Sequence, residues 1–196
     1  MKQEALQWWR QAAQMVRDAA NQPNVFEQWV EQLAIRDPHI AVPAIMALQQ
    51  AGSAVIPSLL KGLKHAHTRV RRNCVDSIDH GGYGADARCV EGLLALLHDP
   101  VPHIRRAVWH TLFCERCPDA TKCEITTPIQ LDRVGLLIEV GVNDSNPKLQ
   151  QQLVDDLGSY LSDLRARHTL EQIATTEQNP TLTSIARRAL ADEIRI

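Results

Sequence analysis

The chain has 196 residues, 44% of them hydrophobic and 22% charged, a balance that supplies one continuous core and excludes wholesale disorder. With 21 basic and 23 acidic residues the formal charge is −2, which excludes the global positive field that marks most nucleic-acid binders. No run approaches the ~20 apolar residues that span a bilayer, and the opening MKQEALQWWR lacks the apolar stretch of a signal peptide, so the sequence reads as a cytoplasmic protein without a membrane partner.

In chain order, residues 2 to 20 predict one amphipathic helix, ended by Asn21-Gln22-Pro23, and Val25 to Ile35 a second, ended by Asp37-Pro38. Residues 1–36 therefore read as an N-terminal helical cap, with Trp8, Trp9 and Trp29 sealing the open end of a core or offering an exposed aromatic patch. From residue 37 to 113 the chain repeats itself. Leu59, Leu60 and Leu63 return as Leu93, Leu94 and Leu97, and at the same offset Val70, Arg71 and Arg72 return as Ile104, Arg105 and Arg106. Inside each unit apolar residues recur at three- and four-residue steps, the helical period. Gly52-Ser53, Gly81-Gly82 with Gly84, Asp99-Pro100, Asn146-Pro147 and Asn179-Pro180 punctuate the helices. The step from Pro147 to Pro180 matches this period to within one position, whereas the step from Pro100 to Pro147 overshoots it. The excess matches residues 114–126, read as a cysteine-rich insertion, after which 127–196 resume the repeat.

Helix pairs at this period, with second helices opening Thr68-Arg-Val-Arg-Arg72 and Pro102-His-Ile-Arg-Arg-Ala107, resemble the HEAT repeat, in the short form first described in phycobilisome lyases. The resemblance covers roughly Asp37 to Leu190 and implies an all-α solenoid, a right-handed superhelix forming a single domain over 1–196. It is specific for architecture and poor for function, because such repeats mostly present binding surfaces, with a minority acting in chromophore ligation or DNA repair.

Unusual chemistry concentrates in the insertion. Cys114, Cys117 and Cys123 lie in one short stretch, and His80, one repeat before Cys114, occupies the equivalent place on the neighbouring second helix. These four predict a closed Cys3His set, the usual form of structural zinc, with His110 as the competing fourth ligand because it lies one turn before Cys114. An iron–sulfur cluster is the alternative cofactor, and redox-sensitive thiols beside Arg116 and Lys122 are the metal-free alternative. Cys74 and Cys89 fall in apolar segments and read as core residues.

The recurring pairs Arg71-Arg72 and Arg105-Arg106 have two readings: a structural ladder paired with Asp76, Asp79 and Asp99, or a basic strip that binds phosphate or an acidic partner segment. Trp109 is the aromatic placed to join such a surface. Gly-rich phosphate loops, Gly-x-Ser-x-Gly and His-Glu-x-x-His are absent, and Gly81-Gly-Tyr-Gly84 lacks the strand and lysine of a phosphate cradle. The expected function is an interaction scaffold or adaptor for a protein partner on the concave face, carrying a structural zinc site. The alternatives are a metal- or redox-responsive regulator and an enzyme of the lyase or DNA-glycosylase kind.

Overall fold

The Pro and Asx punctuation becomes a succession of short helices in the computed structural model, which describes residues 2–19, 22, 24–113, 131–176 and 178–192. Every regular element among the described residues is helical. The chain divides into two compact units, Met1–Ile129 and Gln130–Ile196.

The first unit contains α1 (Lys2–Ala19), α2 (Val25–Gln32), α3 (Pro38–Gln50), α4 (Ile56–Leu63), α5 (Thr68–His80), α6 (Ala87–Ala95) and α7 (Pro102–Phe113). Side chains satisfy the orphan amides at several starts: the Asp37 carboxylate accepts from the His39 amide at 2.9 Å and that of Asp86 from the Arg88 amide at 3.0 Å. At α5 the cap is an imidazole, His67 Nδ1 accepting from the Arg69 amide at 3.2 Å, while His65 Nδ1 accepts from the His67 amide.

These helices pack in two rows. In one row α2 meets α4 and α4 meets α6; in the other α1 meets α3, α3 meets α5 and α5 meets α7, with α2–α3, α4–α5 and α6–α7 joining the rows. The core between them repeats with the sequence: Leu59 and Leu93, Leu63 and Leu97, and Val70 and Ile104 are each buried, one repeat apart. Each fully buried Leu contributes about 1.5–3 kcal/mol of transfer free energy. Trp29 joins this core, Trp8 meets the His39 ring at a centroid distance of 6.0 Å, and Trp9 stands 55% exposed.

Side chains one repeat apart also touch. Lys61 pairs with Glu27, its counterpart in the preceding repeat, and His65 Nε2 lies 3.6 Å from Glu31 Oε2. The Tyr83 hydroxyl donates toward the Leu48 and Gln49 carbonyls at 2.9 and 3.0 Å, tying the turn after α5 to the end of α3.

In the second unit α8 (Arg133–Leu136) runs into a π-helical turn, Leu137–Gly141, followed by α9 (Pro147–Leu157), α10 (Leu164–Thr175) and α11 (Pro180–Asp192). The Val142 amide reaches the Leu137 carbonyl, five residues back, at 2.9 Å, and Gly141 sits where a Cβ would lie 2.9 Å from that of Leu153. Here α8 packs on α10 and α9 on α11, around Leu153, Leu157 and Leu170. Ties across one repeat recur: Arg165 donates to both oxygens of Asp132 at 2.7 and 2.9 Å, and Arg188 to Asp155 at 2.6 Å. Among the described residues no helix is long and apolar enough to cross a membrane.

Candidate functional site

The candidate histidine ligands and the arginine pairs lie on α5 and α7, and these two helices pack directly against each other. At the C-terminal end of α5, His80 and His110 converge on one carboxylate. Asp79 Oδ2 lies 3.9 Å from His80 Nε2 and 3.6 Å from His110 Nε2, with the Asp79 side chain buried and both imidazoles more than half exposed. Burial raises the Asp79 carboxyl above its ordinary range, and the two histidines oppose that shift. Both candidate fourth ligands thus sit at one corner. Cys114, Cys117 and Cys123 lie outside the described residues. Among the described residues no group of three His, Cys, Asp or Glu side chains is arranged to hold a metal ion.

The arginine pairs divide by position. Adjacent helical residues point about 100° apart, so one member of each pair turns inward and the other outward. Arg71 is the inward one on α5: its Nε and Nη2 donate to the Asp99 carboxylate at 2.7 and 3.2 Å, and its Nη1 to the His65 and Ala66 carbonyls, both at 2.9 Å. Arg105 does the equivalent on α7, donating from Nη1 to the Asp99 carbonyl at 2.7 Å. In the second unit Arg167 reaches the Leu161 carbonyl, again six residues back. Each of these arginines closes the turn that precedes its own helix, which satisfies carbonyls that would otherwise be stranded at a helix boundary.

Arg72 and Arg106 are the outward members. Arg72 is part-exposed and pairs with Asp76 one turn along, and Arg106 is exposed. They belong to longer stripes. On α5, Arg69, Arg72, Asp76 and His80 follow helical spacing along the solvent side; on α7 the positions one repeat after the first three are His103, Arg106 and His110, and the position after His80 lies outside the described residues. Asn73 lies at the edge of the stripe, donating to the Leu33 carbonyl at 3.2 Å, and its counterpart Ala107 is buried. The opposite faces, Val70, Cys74, Val75 and Ile78 on α5 and Ile104, Val108 and Leu112 on α7, are buried.

Trp109 is 5% exposed and stacks at a tilt on Phe113, with ring centroids 5.1 Å apart; among the described residues its indole N–H has no hydrogen-bond partner, a condition shared by the buried Ser77 hydroxyl. Cys74 and Cys89 are fully buried, and burial pushes their thiols up to about 12 and about 11, out of reach of thiolate chemistry near neutrality. The capping imidazoles went unread in the sequence, because His is not among the common cap residues, whereas Asp99 was offered there as an acidic partner of the arginines and does pair with Arg71. The signal that locates Asp99 is its place one repeat after His65, at the turn that both Arg71 and Arg105 close. No protein-family model matches this chain, and no curated protein is significantly similar to it.

Proposed function

We propose that this chain is a HEAT-like repeat scaffold whose α3–α5–α7 row binds a segment of a protein partner. The observation that carries the reading is the register of the exposed stripes. The second helices pack side by side, their buried positions recur one repeat apart, and their solvent-facing positions recur with them. A solenoid of stacked helix pairs is the architecture this repetition supports. Such a row makes a ridged surface on which an extended chain meets equivalent side chains at each helix, the usual way repeat proteins bind.

The test is site-specific photo-crosslinking in the source cell, with p-benzoylphenylalanine in place of the exposed His103 on α7 or Glu91 on α6. Position 103 is expected to give a discrete protein adduct and position 91 none. Adducts of equal yield from both positions, or from neither, refute a binding face on this row.

A second reading rests on the convergence of His80 and His110 at Asp79, at the helix end from which the sequence passes directly into Cys114. We infer that one of these imidazoles completes a structural zinc site with Cys114, Cys117 and Cys123. Neutral imidazole and thiolate are the donors that tetrahedral zinc takes, and the metal would fasten a segment whose composition buries little. Metal content of the purified protein tests it.

A further inference from the structure

We infer that the α5–α7 surface takes an acidic, extended peptide segment of its partner, with Arg69, Arg72 and Arg106 as the receiving cations. The inference rests on the scaffold reading and names the chemistry of the partner. The chain as a whole carries a formal charge of −2, yet the outward stripes of these two helices hold three arginines, the imidazoles of His80, His103 and His110, and one carboxylate, that of Asp76, with the buried Asp79 carboxylate behind His80 and His110. Asp76 is already engaged by Arg72. Arg71 and Arg105, which would double the local charge, are turned inward, so the strip is set by the outward residues alone.

The arginines stop at α5. Counted from the N-caps Asp37 and His67, the α3 positions that correspond to Arg69, Arg72 and Asp76 are His39, whose ring meets Trp8, and the part-buried Val42 and Met46. Charge complementarity therefore confines the acidic part of the ligand to two neighbouring helices. Packed helices lie about 8–10 Å apart. An extended chain crossing them advances about 3.3 Å per residue, so carboxylates three residues apart span from the Arg69–Arg72 turn of α5 to Arg106 on α7. A net acidic protein with two or three exposed arginines in one place suits a short carboxylate-bearing peptide better than a phosphate backbone, whose affinity grows with many cations in a line.

The experiment is fluorescence anisotropy of the full chain with a labelled peptide carrying glutamate at every third position and serine between. Its glutamine isostere, its lysine counterpart and an oligothymidylate of matching length are run beside it, at low ionic strength and again in physiological salt. The glutamate peptide is expected to bind, the glutamine isostere to bind at least about tenfold more weakly, and added salt to weaken the first selectively. The exposed double variant Arg69→Gln/Arg106→Gln is expected to lose about tenfold, and Arg69→Glu/Arg106→Glu to transfer preference to the lysine peptide. Circular dichroism confirms that each variant is folded, and Lys64→Gln/Arg88→Gln on the other row is expected to bind as the parent does.

Equal binding of the glutamate and glutamine peptides overturns the inference, as does binding that survives Arg69→Gln/Arg106→Gln. Tighter binding of the oligothymidylate, lost in the same variant, overturns it in favour of nucleic acid. A discrete protein adduct from position 103 together with any of these results leaves the scaffold reading standing and removes only the acidic partner; absence of that adduct removes the scaffold reading itself.

Discussion

Asp99, one of the carboxylates that the sequence offers to the arginines, holds Arg71 and Arg105 at one turn. Its carboxylate accepts two bonds from Arg71 and one from the Val101 amide at 2.8 Å, while its carbonyl accepts from Arg105. Both partners of the Arg71–Asp99 pair are nearly out of water, with side-chain exposures of 11% and 2%. Removing one charge from such a pair strands the other. Asp99→Ala is therefore expected to lower stability by about 3–5 kcal/mol, read as a shift of the urea midpoint. Asp99→Asn combined with Arg71→Met removes both charges, keeps an acceptor for the Val101 amide, and is expected to be more stable than Asp99→Ala. A double variant no more stable than the single one would show that the pair's charge is not what the turn depends on.

At the scale of the element, the helix boundaries were legible because their causes are local. Asp37-Pro38, Asn146-Pro147 and Asn179-Pro180 announce helix starts in sequence, and the corresponding helices begin at Pro38, Pro147 and Pro180. What local rules cannot announce is how closely two helices approach. Gly62 in α4 is buried, and a Cβ added there would fall on the Cys74 sulfur of α5 and lie 2.9 Å from Val30 Cγ1 of α2. The glycine is thus where three helices meet, and Cys74 owes its full burial to that meeting. Gly62→Ala improves intrinsic helix propensity by about 1 kcal/mol. Overpacking of about 1–3 kcal/mol opposes and exceeds that gain, so thermal denaturation is expected to show a less stable protein. Adding Cys74→Ala clears the sulfur and is expected to recover part of the loss. Equal, additive losses from the two changes would mean that the helices do not meet at this glycine. The π turn at Leu137–Gly141 was similarly invisible: it ends at a glycine where a Cβ would lie 2.9 Å from that of Leu153, and that neighbour belongs to another helix.

For the molecule as a whole, the repeat step legible in the sequence reappears as contact. Glu27 with Lys61, and Asp132 with Arg165, show residues of successive repeats meeting their own counterparts. Repetition of this kind is readable because it is the same local pattern written twice. The proposed partner surface was only half readable: the register of Arg71-Arg72 and Arg105-Arg106 is in the sequence, whereas which member turns inward depends on Asp99 and on the turns that the arginines close. The candidate metal site divides the same way. His80 and His110 are brought to one carboxylate, while the three cysteines lie outside the described residues. If zinc joins these groups, protein purified without chelator or metal-affinity resin will carry one equivalent by mass spectrometry, and Cys117→Ser will carry none. His80→Ala and His110→Ala then assign the fourth ligand, since only the true ligand lowers metal occupancy and releases zinc at milder chelator concentration. Chelation is expected to lower the unfolding temperature of the parent and to leave Cys117→Ser unchanged, a readout that separates a fastening metal from an incidental one. Iron with visible absorbance would replace zinc by a cluster, and metal-free parent protein would leave a helical scaffold whose thiols need another explanation.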